Sequence, residues 1–482
     1  MTILIDMEIK VKLNSKEYRY HIFQMINLFY DFVDINFVED ESWNFNIELL
    51  QNEVIIDDKN DICKMQFESG LSERENIKKA VFLYFTNKTG KTLPWGTLVG
   101  IRPSKITLKF IKDGKSRDEI IKYFDKHFCC NKSKAELCID VANSEKDLVN
   151  SNSRNISVYV GMPFCPTKCL YCSFASNPIK GCKDLVEPYL KSLTYEIRKM
   201  SEYIKNHELN IECIYFGGGT PSSIDNEKFE KLMHEIYNSF VRDYKIKEFD
   251  VECGRPDSIT SSKLETMKRY GVNRISINPQ TMNDSTLKFI GRNHSVNEVK
   301  EKFYMAREYG FDNINMDLIV GLPGEGIEEV NKTCDEIEKL GPDNLTVHGM
   351  SVKRASRLYE NIVNNISYSI AGNEELNLMY ERTALLAKSM NMKPYYMYRQ
   401  KNMVGNMENI GYTSGKHRGL YNVEMIEERQ TIIACGADAV TKVMFLDENR
   451  FERQANIKDV GEYVRRIDEM VKKKIDLLNT LY

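Results

Sequence analysis

Between residues 156 and 349 the chain repeats one pattern six times: a short apolar run, then a stretch of helical spacing. The runs 156–162, 211–216, 249–252, 274–278, 314–320 and 344–349 are rich in Ile, Val, Tyr and Phe and nearly continuous in apolar character. Parallel strands buried on both faces read this way. The segments 184–205, 227–240, 262–270, 296–309 and 327–340 between them carry helical periodicity; Ser295-Val-Asn-Glu298 is a capping box, and Gly271 and Gly310 follow two helix ends. Six βα units in succession predict an α/β fold with a parallel sheet. Right-handed crossovers wrap such a sheet into a full or partial barrel, although the spacing also admits an open doubly wound sheet.

The chain has 12 cysteines. Most stand alone or, as with Cys129 and Cys130, side by side, and read as core residues. One group differs: Cys165-Pro-Thr-Lys-Cys169-Leu-Tyr-Cys172 directly follows the first apolar run. Three thiolates at this spacing suit three irons of a cubane. Iron–sulfur clusters ordinarily take four thiolates, so three leave one iron with an open position, as catalytic zinc sites do. A structural zinc site with Cys182 as fourth ligand and a ferredoxin-like carrier are the competing readings. The carrier spacing is usually C-x2-C-x2-C with a proline after the last ligand, which this loop lacks. A second motif, Tyr215-Phe-Gly-Gly-Gly-Thr-Pro221, closes the second run; its glycines let backbone approach a ligand without a Cβ in the way.

Together, the cysteine loop and the glycine triplet resemble the radical S-adenosylmethionine (SAM) superfamily. That resemblance implies a partial (β/α)6 TIM-like barrel and a [4Fe–4S] cluster on Cys165, Cys169 and Cys172. It also implies a SAM chelated at the open iron and cleaved by one electron to a 5′-deoxyadenosyl radical, which needs shielding from solvent. Tyr159-Val-Gly-Met-Pro-Phe-Cys165 is similar to the Tyr-x-His-x-Pro-Phe-Cys lead-in of oxygen-independent coproporphyrinogen III dehydrogenases, with Gly161 in place of the histidine. This narrower likeness implies SAM contacts at Tyr159, Tyr171, Gly218, Gly219, Thr220 and Glu252. It implies a second SAM near Gln280, Arg292 and Asp317. Four further segments resemble the branch called HemZ: Leu93-Pro-Trp-Gly through Gly-Ile-Arg-Pro103, Val352-Lys-Arg-Ala-Ser-Arg357, Tyr395-Tyr-Met-Tyr-Arg-Gln-Lys401 and Asn406-Met-Glu-Asn-Ile-Gly-Tyr412.

The resemblance implies an oxidoreductase acting on a tetrapyrrole such as coproporphyrinogen III. The radical takes hydrogen from a propionate, and loss of CO2 and one electron leaves a vinyl group. Reduced flavodoxin or ferredoxin is the expected electron donor. Carboxylate substrates call for cations, and arginine forks suit them best; Lys353, Arg354, Arg357 and Arg399 are the candidates. Tyr395, Tyr396 and Tyr398 alternate, as pocket residues or as a half-buried strand. Two other readings stand beside this one: a haem-binding chaperone that keeps the cluster without decarboxylation, and an anaerobic haem-modifying or methyl-transferring relative. The chaperone branch carries a His-Asn-x-x-Tyr-Trp string, which this chain lacks.

Around the barrel segment (156–350) the sequence predicts a small N-terminal α/β domain over 1–150 and a C-terminal mixed α/β extension over 351–482, with helices at 374–390 and 460–477. The net charge of −3 and pI near 6.3 show no basic surplus of the kind a nucleic-acid binder carries. No run approaches the length of a membrane span. The start, Met-Thr-Ile-Leu-Ile-Asp-Met-Glu, has no signal-peptide pattern, so a cytoplasmic location is expected.

Overall fold

A computed structural model describes every residue except 1–7, 31, 32, 101, 365, 367, 401 and 402. Ile101 and Lys401 of the HemZ-like segments, and most of the start read for a signal peptide, therefore lie outside the described residues.

The N-terminal unit is a sheet of β1 (Glu8–Leu13), β2 (Asp34–Val38), β3 (Phe45–Leu49), β4 (Glu53–Asp57) and β5 (Ile62–Gln66), in the order β2-β1-β3-β4-β5. β1 runs parallel to both neighbours, and β3, β4 and β5 form an antiparallel meander. The helix Glu73–Thr89 covers it, started by a capping box of Ser72 and Glu75 and stopped by Gly90 at φ +67°. Its core ends at Leu93. From Trp95 onward the buried apolar side chains, including those of helices Arg117–Phe128 and Lys132–Glu145, belong mainly to the core of the following unit, while half-buried Val99 and Cys129 pack back on the first. The hydrophobic cores thus divide between Leu93 and Trp95, well before the polar run at 150–155.

The second unit is built on β6 (Asn155–Met162), the two-residue pair β7 (Phe164–Cys165) and β8 (Asn177–Pro178), β9 (Asn210–Gly218), β10 (Glu248–Val251), β11 (Arg274–Ser276), β12 (Ile314–Val320) and β13 (Asn344–Gly349). β14 (Lys393–Tyr398), β15 (Asn409–Thr413), β16 (Thr431–Cys435), β17 (Val440–Phe445) and β18 (Arg450–Ala455) follow. Among the described residues eleven of these strands make one sheet, ordered β14-β15-β13-β12-β11-β10-β9-β6-β16-β17-β18. β6, β9, β10, β11, β12 and β13 are mutually parallel. Helices Lys183–Asn206, Asn226–Ile236, Ser261–Arg269, Val296–Glu308 and Ile327–Leu340 cross between them. The fold is α/β, a partial (β/α)6 barrel whose two edges are prolonged rather than closed on each other. On one edge β15 and β14 add antiparallel strands; on the other β16 pairs parallel with β6, followed by antiparallel β17 and β18.

The segment 460–477 forms two helices, Val460–Arg465 and Ile467–Leu478, because Arg466 leaves the helical region at φ −116°, ψ 24°. A buried carboxylate fastens them: Glu196 accepts from Lys474 Nζ, from Tyr463 Oη at 2.6 Å and from Gly436 N–H at 2.7 Å. A buried charge is tolerated when its lone pairs are filled in this way. No described helix is long and apolar enough to cross a membrane.

Candidate active site

A cavity of about 350 Å³ opens at the carboxyl ends of the parallel strands, the end where (β/α) barrels place their sites. Its wall follows strand alternation. Residues i and i+2 of a strand share a face, and Asp250 with Glu252, Ser276 with Asn278, Asn315 with Asp317, Thr346 with His348, and Tyr396 with Tyr398 all line it. Their neighbours Val251, Ile277, Met316, Val347 and Met397 face the packed side and are buried.

The cysteine loop forms one wall. Cys165, Cys169 and Cys172 all line the cavity. Each has a donor beside its sulfur: Thr220 Oγ1 donates to Cys165 Sγ at 3.3 Å, Arg255 Nη1 lies 3.7 Å from Cys169 Sγ, and Ser176 Oγ stands 3.4 Å from Cys172 Sγ. Arg255 is 3 % exposed and also holds Thr167 Oγ1 at 2.9 Å and the Asp257 carboxylate at 3.0 Å, so it braces the loop from outside the motif. Burial pushes the Cys165 thiol up to about 12 against the pull of Thr220, and burial also raises Cys172. Without metal these two thiols are held neutral, and a bound cation would displace their protons. Among the described residues no three His, Cys, Asp or Glu side chains converge on a single ion position. A cubane does not ask for that, since each thiolate binds a different iron. Three cysteines facing one cavity, with a donor at every sulfur, suit a [4Fe–4S] cluster. Cys182 precedes the helix Lys183–Asn206 and is not among the cavity residues.

Beside the cysteines lies the glycine turn. Gly218 has φ +101°, and a Cβ there would stand 2.8 Å from Met162 O and 3.3 Å from Tyr159 Oη. Gly219 N–H donates to Met162 O at 2.5 Å and Thr220 N–H to Phe164 O at 2.8 Å, so the turn is sewn to the cysteine lead-in. Gly218, Gly219 and Thr220 line the cavity, whereas Tyr159 sits beneath it, stacked on Tyr215 at 6.1 Å. Burial pushes Glu252 up to about 8, with Asp317 and Asp250 adding to the rise. For Asp317 burial acts upward, but the hydrogen bond and charge of His348 outweigh it and the carboxyl stays below its usual range. His348 Nε2 lies 3.6 Å from Asp317 Oδ2, and its Nδ1 faces Asn409 Oδ1 at 3.3 Å.

Gln280 adopts φ +67°, rare for a side-chain-bearing residue, and is pinned by Gln280 N–H to Asp317 O and Ile319 N–H to Gln280 O, both 2.9 Å. Its buried Oε1 has no partner among the described residues. Arg292 donates to Gly254 O and Asn278 O at 2.6 Å each and to Tyr171 Oη at 3.3 Å, joining the cysteine loop to two strand ends. Tyr171, Gln280, Arg292 and Asp317 all line the cavity.

Three expected substrate cations are placed elsewhere. Arg354 and Arg357 are exposed outside the cavity wall. Arg399 is buried behind it, its guanidinium 4.8 Å over Trp95 and bonded to Leu98 O and to Asn406 O at 2.8 Å. The physical reason is strand alternation: Tyr396 and Tyr398 face the cavity, so Arg399 faces the core. Lys353 does line the cavity. Arg255, Asn278 and His348 are cavity residues that the motifs did not single out; the polar i, i+2 alternation within the apolar runs is the signal that marks Asn278 and His348.

The radical SAM superfamily description matches residues 159–337. A relative in Bacillus subtilis (strain 168), oxygen-independent coproporphyrinogen-III oxidase-like protein HemZ, is 39% identical over 426 residues, covering 86% of this chain and 84% of its own. The heme chaperone HemW of the same organism is 33% identical over 225 residues, 47% of this chain and 58% of the chaperone. The solved structure of the Escherichia coli coproporphyrinogen III oxidase HemN, a radical SAM enzyme, aligns with TM-score 0.51 at 19% identity over 68% of this chain and 72% of that one; at that identity the likeness is one of fold. On the extent of the HemZ match, the chain belongs to the radical SAM superfamily, in its oxygen-independent coproporphyrinogen-III oxidase-like group.

Proposed function

We propose that this chain is a radical SAM oxidoreductase that oxidatively decarboxylates propionate side chains of a tetrapyrrole, coproporphyrinogen III being the reference substrate. The observation that supports it best is that the three cysteines, the Gly218-Gly219-Thr220 turn and the carboxylates Glu252 and Asp317 open on one cavity. Cys165, Cys169 and Cys172 would hold the cluster, which when bound supplies the electron that cleaves SAM to a 5′-deoxyadenosyl radical. Thr220, Ser176 and Arg255 stabilise charge on the sulfurs, as donors to thiolates do. The open backbone of Gly218 and Gly219 admits the methionine end, and Glu252 suits ribose hydroxyls. Barrel walls and the cysteine loop exclude water from the reacting atoms.

A specific observation favours a second reading, haem binding without turnover. Of the cations that line the cavity, Arg255 and Arg292 already donate to protein acceptors. Lys353 is the one whose ammonium has no hydrogen-bond or ion-pair partner among the described residues. Glu252, pushed up to about 8 by burial, is mainly a neutral acid near pH 7, and Asp250 is bonded to Arg274 at 3.0 Å. Among the described residues the depth of the cavity thus offers a substrate carboxylate no free cation. Substrate carboxylates would therefore meet the mouth near Lys353 rather than the depth of the cavity. Anaerobic reconstitution, then reductant, SAM and single tetrapyrroles, separates the two. Methionine, 5′-deoxyadenosine and a vinyl product are expected; stable haem binding with no SAM consumption supports the carrier.

We further propose that Gln280, Arg292 and Asp317 adjoin a second SAM. Calorimetric titration of the anaerobic holoprotein is expected to give a stoichiometry near two, falling towards one in Gln280→Ala, which leaves the Arg292 bonds in place. In Glu252→Ala the first site should weaken by about 1–3 kcal/mol, the range for leaving a buried hydrogen-bonding partner unsatisfied. A wild-type stoichiometry of one removes the second molecule.

A further inference from the structure

The outer rim of the cysteine loop carries positive charge that the fold does not neutralise. Leu170 N–H donates to Ile290 O and Leu170 O accepts from Leu358 N–H, both at 2.9 Å, while Thr167 Oγ1 donates to Gly291 O at 2.8 Å. These bonds draw the end of helix Asp284–Phe289 and the start of helix Arg357–Val363 against the loop. Lys288, Arg354 and Arg357 are exposed on those segments, and half-buried Lys168 lies in the loop itself. None of the four forms an ion pair with a described carboxylate; Asp284 on the first helix and Glu360 on the second are the exposed acids, so cations outnumber acids on these segments. Two large apolar side chains stand among them, Phe174 at 68% and Phe289 at 55% exposure. The chain as a whole nets −3, so this positive rim is a local feature.

We infer that this rim is the docking surface of a small acidic electron-transfer protein. The inference rests on the radical SAM reading, in which one electron must reach the cluster from outside. It gives Arg354 and Arg357, which lie off the cavity wall, a partner of opposite charge. Cys172 is the least buried of the three cysteines, on the side where Phe174 and Lys353 also stand. Electron-transfer encounters are small and short-lived, and unlike charge on the two faces raises their association rate more than their affinity. The step itself is a one-electron exchange: a flavodoxin hydroquinone becomes the semiquinone, and the oxidised cluster gains that electron.

The test follows bleaching of the cluster's visible absorbance in the anaerobic holoprotein by stopped flow. Flavodoxin hydroquinone is compared with photoreduced 5-deazaflavin, a small reductant that needs no docking. With flavodoxin, the second-order rate should fall at least about tenfold between roughly 50 and 500 mM salt, as screening removes steering. A Lys288→Glu, Arg354→Glu, Arg357→Glu variant should be slowed to a similar extent at low salt and lose the salt dependence, with its deazaflavin rate unchanged. Equal flavodoxin rates in variant and wild type overturn the proposal, as does a wild type that neither flavodoxin nor an acidic ferredoxin reduces. Failure of the cluster to assemble, or of deazaflavin to drive SAM cleavage, would count instead against the radical SAM reading.

Discussion

Alanine at any one of Cys165, Cys169 or Cys172 is expected to abolish the broad visible absorbance of the anaerobically reconstituted protein, while Cys182→Ala leaves it unchanged. The first three share one cavity wall and each has a hydrogen-bond donor at its sulfur. Cys182 stands at the start of the helix Lys183–Asn206, outside the cavity residues. A cubane that loses one of three protein thiolates keeps two, which is half the usual complement. Iron and sulfide analysis beside the spectrum measures the loss, and far-ultraviolet circular dichroism checks that the barrel is retained. If Cys182→Ala bleaches the protein equally, the cluster has four protein ligands. The open-iron argument then fails, and an electron carrier becomes the better account.

The parallel core of this fold was legible because its physics is local. The runs at 314–320 and 344–349 coincide with β12 and β13, and the capping box at Ser295 and Glu298 starts the helix Val296–Glu308. What escaped is of two kinds. β16, β17 and β18 join the barrel through the pairing of β16 with β6, whose partners such as Thr431 and Ile156 lie 275 residues apart, so no local pattern announces it. Part of the inner lining escaped for a different reason. Glu252 and Asp317 are expected in the site, but runs such as Phe249-Asp-Val-Glu252 and Thr346-Val-His348 read as nearly continuous apolar strands, so Asp250, Thr346 and His348 on the same cavity face are not singled out. Arg399 and Arg354 show the limit of reasoning from charge: a cation near a barrel mouth in sequence is assigned to core, rim or cavity by strand register and loop packing.

Gly219→Ala is expected to weaken SAM binding at least about 100-fold, about 2.8 kcal/mol at roughly 1.4 kcal/mol per decade. The added Cβ would stand 2.7 Å from Phe164 O, 2.9 Å from Met162 O and 3.0 Å from Cys165 Sγ. Two of those atoms are backbone carbonyls, and both already accept hydrogen bonds from the turn, from Gly219 and Thr220 N–H. A flexible side chain would swing aside; these cannot. The turn must therefore open, which breaks the two bonds that sew it to the cysteine lead-in and moves Thr220 away from Cys165 Sγ. At Gly217 a Cβ would instead meet side chains, the Tyr215 ring and, at 2.8 Å, the Glu252 carboxylate. Gly181→Ala serves as the control, since nothing lies within 4 Å of its Cβ position and it sits one residue before Cys182. Calorimetric SAM titration of each cluster-loaded variant, with iron content measured in parallel, separates loss of the SAM site from loss of the cluster. A Gly219→Ala protein that keeps both its cluster and wild-type SAM affinity would show that the glycine turn is folding geometry and not the floor of a SAM site.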